Sequence, residues 1–217
     1  MSIEKAYNSW ARQYDTNKNK TRDLDIKATI ETLSKYKFKY VLELGCGTGK
    51  NTSWLLSRAE QVIGLDFSQE MLNIAKKKTT DSRVEFKRAD INKEWEIKNQ
   101  FADLVTSSLT LEHIDNLNPI FNQANQKIIG NGIFFISELH PFKQYLGSKA
   151  KFETESGVEE LKVFIHHISD YVDSAENNGF ELLEIKEWFD DNSEKKIPRL
   201  ISFVFRKKNE LLLKNNY

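Results

Sequence analysis

The chain has a single cysteine, no surplus of charge, no long apolar run and no internal repeat. One thiol, Cys46, cannot build a disulfide framework, and its scarcity fits a reducing compartment. The 32 lysines and arginines balance the 32 aspartates and glutamates. That balance argues against a strong electrostatic grip on nucleic acid or an anionic membrane: no membrane partner is expected, and nucleic acid is a disfavoured one. No apolar stretch is long enough to span a bilayer, and Met1 to Lys5 lacks the apolar core of a secretion signal. A cytoplasmic protein is expected. Its 217 residues suit one domain, 1–217, with a substantial core.

Glycine is also sparse, nine residues in all, yet three of them sit close together at Gly45, Gly47 and Gly49. They follow the apolar stretch Val41-Leu42-Glu43-Leu44. Glycine permits positive φ and close backbone approach, so this reads as a tight strand-to-helix turn built to touch a ligand. The next strand ends on Asp66, about twenty residues later, the spacing at which a carboxylate reaches a ribose diol. A nucleotide-type cofactor site is the leading reading. A P-loop fails, because Leu44 and Asn51 stand where a glycine and a hydroxyl residue are needed. The dinucleotide fingerprint asks for Gly or Ala where Lys50 stands.

Periodicity orders the rest. Tyr7, Trp10 and Tyr14 share one helical face, and a second helix is predicted over Leu24 to Tyr36. Strands are predicted at Phe38–Leu44, Val62–Leu65, Val84–Phe86, Phe101–Ser108 and Ile133–Ser137, the last entered through an Asn131-Gly132 turn. Helices fall between them, one capped by Ser68 and one carrying Leu117, Ile120, Phe121, Ala124 and Ile128. A long irregular insert, 138–168, follows, then a helix capped by Ser169. Two final strands, Phe180–Trp188 and Ile201–Phe205, are joined without a helix and should pair antiparallel. Strands alternating with helices imply an α/β fold, a mostly parallel sheet covered on both faces.

Glu43-x-Gly45-x-Gly47-x-Gly49 is similar to motif I of the class I S-adenosylmethionine-dependent methyltransferases. The strand pattern also resembles that family's Rossmann-like seven-stranded sheet, whose last strand is antiparallel. Leu109-Thr110-Leu111-Glu112-His113 looks like the small-molecule, type 11-like branch. The Asn/Asp-Pro-Pro-aromatic motif of enzymes that methylate nucleic-acid bases is absent at this strand end. The resemblance implies S-adenosylmethionine as cofactor, S-adenosylhomocysteine as product, and a small-molecule acceptor, a carboxylate or a phenol. It places Gly45 and Gly47 on the methionine part, Glu43 near its amino group, Asp66 with Phe67 and Met71 around the ribose, Asp90 and Ile91 on the adenine, and Ser108 beside the sulfonium. The opening residues 1–37 resemble a helical lid in which Tyr14 touches the cofactor.

Ligands bind such a sheet outside the carboxyl ends of its strands. His140, after the fifth strand, and His113 are therefore the candidate proton acceptors, and His166 or His167 is a further neighbour of the pocket. The insert carries Phe142, Tyr145 and Phe152 among Lys143, Lys149 and Lys151, and reads as an amphipathic cover or a substrate lid. Tyr145, His167 and Arg199 are the candidate acceptor contacts, Arg199 as a carboxylate anchor. No metal site is assigned. A catalytically silent cofactor- or partner-binding domain and a nicotinamide oxidoreductase are the competing readings.

Overall fold

A computed structural model describes residues 3–148, 151–154, 157–190 and 197–209. Lys149 and the middle of the loop before Arg199 lie outside the described residues, as do the side chains of Lys151 and Phe152. In chain order the strands are β1 (Tyr40–Leu44), β2 (Gln61–Asp66), β3 (Val84–Arg88), β4 (Ala102–Ser108), β5 (Ile128–Leu139), β6 (Lys151–Thr154), β7 (Gly157–Glu160), β8 (Phe180–Trp188) and β9 (Leu200–Lys207). β6 and β7 form a separate hairpin. The other seven make one sheet in the order β3-β2-β1-β4-β5-β9-β8. β1 to β5 pair in parallel, β9 runs against both neighbours, and β8 therefore points with the central strands. This is the expected architecture: six parallel strands and an antiparallel last one.

The helices are α1 (Ile3–Tyr14), α2 (Lys20–Leu33), α3 (Thr52–Leu56), α4 (Gln69–Lys78), α5 (Asn118–Lys127), α6 (Pro141–Tyr145) and α7 (Ile168–Asn177). Central strands are apolar on both faces because both faces are covered. Leu42, Leu44, Ile63 and Leu65 pack with Phe121 and Ala124 of α5 and Tyr171 and Ala175 of α7. Their alternates Val41 and Val62 pack with Leu33 of α2 and Leu55 and Leu56 of α3. The strand period of two thus sends successive side chains into two cores.

Three boundaries differ from the sequence reading, each for a local reason. α2 starts at Lys20 because the Asn19 side chain caps it, accepting the Arg22 N–H at 3.0 Å. β5 starts at Ile128, and Asn131-Gly132 is a bulge inside the strand instead of a turn before it. Ala102 pairs with Ile128 but Leu104 pairs with Ile133, so the extra residues loop out, with Asn131 at φ +63°. α7 is capped at His167, not Ser169: the His167 N–H donates to the Asp170 carboxylate at 2.7 Å.

Candidate cofactor site and its walls

The turn after β1 does what its glycines permit. Gly45, Gly47 and Gly49 have φ of +65°, +55° and +77°. Each solves a different packing problem. A Cβ on Gly45 would lie 2.1 Å from the Thr110 Oγ1, whereas one on Gly49 would press on Ala75 of α4 at 3.3 Å. At Gly47 the place of a Cβ has nothing within 4 Å, so its bare backbone faces open space. That opening beside a left-handed backbone is room for a ligand to lie against the chain.

Asp66, at the carboxyl end of β2, is locked to this turn. One carboxylate oxygen accepts the Gly47 N–H and the other the Ser68 N–H, both at 2.8 Å. Each oxygen keeps a lone pair for another donor. Burial raises the Asp66 pKa to about 6, against the Ser68 and Gly47 N–H groups that hold it down. Glu43 is buried as well and rises to about 7 for the same reason, with the Thr52 hydroxyl donating to it. Next to it, Lys50 Nζ and Asn51 Nδ2 both donate to Asp25 of α2, at 2.8 and 3.2 Å.

A cavity opens at this strand edge. Gly45, Gly47, Asp66, Phe67, Met71, Asp90, Ile91 and Ser108 line it, with Tyr14 and Tyr7 of α1 across from them and His113 at its side. Glu43 borders a smaller recess under the same glycines. Asp90 closes a local turn by accepting the Asn92 N–H at 3.0 Å, and Ile91 packs beside it. Ile3, Tyr7 and Tyr14 of α1 line the cavity, and α2 packs on the sheet through Ala28 and Leu33.

Comparison with known proteins identifies the setting. The family described as "Methyltransferase domain" matches residues 42–136. The ubiquinone biosynthesis O-methyltransferase of Coxiella burnetii (strain Dugway 5J108-111) is 30% identical over 164 residues, which cover 72% of this chain and 69% of that protein. The chain belongs to the class I S-adenosylmethionine-dependent methyltransferases. A malonyl-[acyl-carrier protein] O-methyltransferase of Bacillus cytotoxicus is 29% identical over 144 residues, 62% of this chain and 48% of that protein. The chain spans 57%, 48% and 34% of the length of the first curated relatives it matches. A crystal structure of a putative S-adenosylmethionine-dependent methyltransferase from Listeria monocytogenes superimposes with a TM-score of 0.73. It is 23% identical and covers 86% of this chain and 99% of that one, a likeness of fold.

Within this methyltransferase fold, five residues singled out from sequence, His140, Arg199, Tyr145, His166 and His167, do not line the cavity. His140 is buried beneath α6 as its N-cap: its Nδ1 accepts the Phe142 N–H and its Nε2 meets Glu187, both at 3.1 Å. Both ring nitrogens are engaged away from the cavity, which corrects the expectation of a pocket-facing base. Arg199 grips Asp190 with two nitrogens, at 2.5 and 2.6 Å, and reaches Thr21 with a third. It lines a separate recess with Lys143 and Leu146. Tyr145 is exposed, and its hydroxyl meets His167 Nδ1 at 2.5 Å. His166 turns inward to the Ile114 carbonyl at 2.7 Å. His113 alone among the histidines lines the cavity.

The structure also adds residues that the pattern did not single out. Asp25 gives no signal, because a carboxylate inside a helix looks solvated until its partners are known. Thr110 and Leu111 donate their N–H groups to buried Glu138 at 2.9 and 2.8 Å, which fixes the loop after β4. Tyr7 was legible as a helix-face aromatic but not as a cavity residue.

Proposed function

We propose that this chain transfers a methyl group from S-adenosylmethionine to a small-molecule acceptor in the cytoplasm. The observation that carries the reading is the convergence of the open Gly47 backbone, Asp66, Asp90 and Ser108 on one cavity beneath α1. Bound there, the cofactor supplies a methyl carbon already activated by its sulfonium. The protein's work is alignment and exclusion of water.

In this reading the backbone of Gly45 and Gly47 holds the methionine end, with Glu43 in the adjoining recess. The free lone pairs of Asp66 take the two ribose hydroxyls while its other lone pairs keep the glycine turn in place. Phe67 and Met71 wall the ribose. Asp90 accepts from the adenine amino group with Ile91 against the ring, Ser108 stands beside the sulfonium, and Tyr14 covers it. The acceptor is a phenol or a carboxylate. The names of the relatives, a ubiquinone-pathway and a malonyl-carrier O-methyltransferase, support transfer to oxygen. Among the described residues no helix is long and apolar enough to cross a membrane.

Calorimetric titration with S-adenosylmethionine and S-adenosylhomocysteine tests this. Both should bind, and Asp66→Ala should weaken them about 100-fold through loss of two charge-assisted hydrogen bonds. Folded wild-type protein that binds neither would overturn the reading in favour of a partner-binding domain.

A further inference from the structure

His113 and Tyr7 form a pair on the cavity wall, and the hydrogen bonds fix its polarity. His113 Nδ1 lies 3.1 Å from the Lys162 carbonyl, which can only accept, so in the neutral ring the proton sits on Nδ1. The Nε2 lone pair then receives the Tyr7 hydroxyl at 2.8 Å. The rings meet edge-on at 81° with centroids 5.5 Å apart, and the Phe67 ring also packs on Tyr7, at 5.8 Å. The Lys162 ammonium itself lies over the Phe164 ring at 4.6 Å. Burial lowers the His113 pKa, so the ring is neutral near pH 7 with its Nε2 lone pair free to accept a proton.

The charge of the same wall discriminates between acceptors. Asp66 and Asp90 line the cavity, and no lysine or arginine lines it among the described residues. A carboxylate acceptor would find no protein cation on this wall, since Arg199 is paired with Asp190 elsewhere. A neutral hydroxyl finds an apolar aromatic wall and a hydrogen-bonding pair.

We propose that the acceptor is a neutral hydroxyl compound of phenol type, and that Tyr7 and His113 together remove its proton. This rests on the methyl-transfer reading above. As the acceptor oxygen bonds to the methyl carbon, the carbon–sulfur bond breaks and its electron pair stays on sulfur. The acceptor's proton passes to Tyr7 Oη, and the Tyr7 proton passes to His113 Nε2. The resulting imidazolium is held by the Lys162 carbonyl and later loses its proton to water. A carboxylate needs no such base. Tyr7 lies on α1, so the relay is complete only when that helix is docked.

The test uses three readouts on wild type, Tyr7→Phe and His113→Gln. Titration with S-adenosylhomocysteine should give affinities within about threefold of each other, because neither change removes a charged cofactor contact. Protein loaded with S-adenosylhomocysteine should bind a nitrophenol as its coloured phenolate, and Tyr7→Phe should not. With S-adenosylmethionine and matched sets of phenols and benzoates, only phenols should be methylated, and either substitution should lower kcat about 100-fold or more. Methylation of benzoates, unchanged turnover in Tyr7→Phe, or no transfer to either set by protein that binds the cofactor would each overturn the proposal. Failure to bind S-adenosylhomocysteine at all would instead overturn the methyl-transfer reading itself.

Discussion

At the scale of single residues, Gly45 and Gly47 share a backbone conformation but not a reason for being glycine. Gly45→Ala combines left-handed strain with a collision against Thr110, and should destabilise the fold by about 3 kcal/mol. Gly47→Ala meets no neighbour and should lose only about 1 kcal/mol in thermal or urea unfolding. Its methyl group occupies the open side of the turn, so S-adenosylhomocysteine affinity should fall at least about tenfold. Wild-type affinity in Gly47→Ala would show that the ligand does not use that opening. Asp66 adds a pH dependence. Its pKa of about 6 belongs to the free protein, and only the carboxylate can accept from two ribose hydroxyls. Cofactor affinity should therefore be flat above neutral pH and weaken as pH falls through about 6, a trend that titrations across that range would read directly.

At the scale of elements, α1 is held by side chains at several points along its length. Glu4 pairs with Arg88 at 2.6 Å, Asn8 accepts from the Ser68 hydroxyl at 2.7 Å, and Asp15 accepts from Thr48 at 2.8 Å and pairs with Lys78. Arg22 of α2 donates to the carbonyls of Tyr14 and Asn17, closing the connection between the two helices. Asn8→Ala removes the bond from Ser68 and a second, longer one accepted from the Glu70 N–H at 3.3 Å, both of which secure the cover. It should weaken S-adenosylhomocysteine binding several-fold while leaving the melting temperature within about 2 °C of wild type. These contacts also mark where sequence reading stops. The strands, their mostly parallel sheet and the carboxyl-edge residues were legible because apolar periodicity and glycine spacing are local signals. The partners of His140, Arg199 and Tyr145 were not, because each is satisfied by a residue set by tertiary packing: Glu187, Asp190 and His167. A polar residue near a strand end looks available for a ligand until its neighbour is known. The β5 bulge was misread for a related reason, since Asn-Gly serves a turn or a bulge equally well and only pairing with β4 decides.

At the scale of the whole molecule, burial of acids at the ligand edge carries a cost in stability. Glu112 is buried and its pKa rises to about 7, chiefly through desolvation. Glu138 moves the same way, with Glu112 adding repulsion. A carboxyl whose folded pKa exceeds its unfolded one binds more protons in the folded state. Its contribution is favourable at low pH and is lost as pH rises toward the folded pKa. For Glu112 the loss amounts to about 3 kcal/mol between acid and mildly alkaline solution. Glu112→Gln should therefore raise the melting temperature by about 5 °C near pH 8, with a much smaller change near pH 5. An equal shift at both pH values would rule out the charge as its cause.

The lone cysteine has a practical consequence. Cys46 is buried inside the glycine turn, where its sulfur would lie 3.0 Å from a Cβ on Gly64. Burial also raises its pKa well above the ordinary thiol value, so it is inert while the turn is closed. With no second thiol in the chain, the rate at which an alkylating reagent modifies the protein counts openings of that one turn. A cofactor that seats on Gly45 and Gly47 would slow this clock in proportion to its occupancy. Cofactor binding could then be followed on unlabelled protein by the appearance of a single mass shift, with no acceptor in the tube.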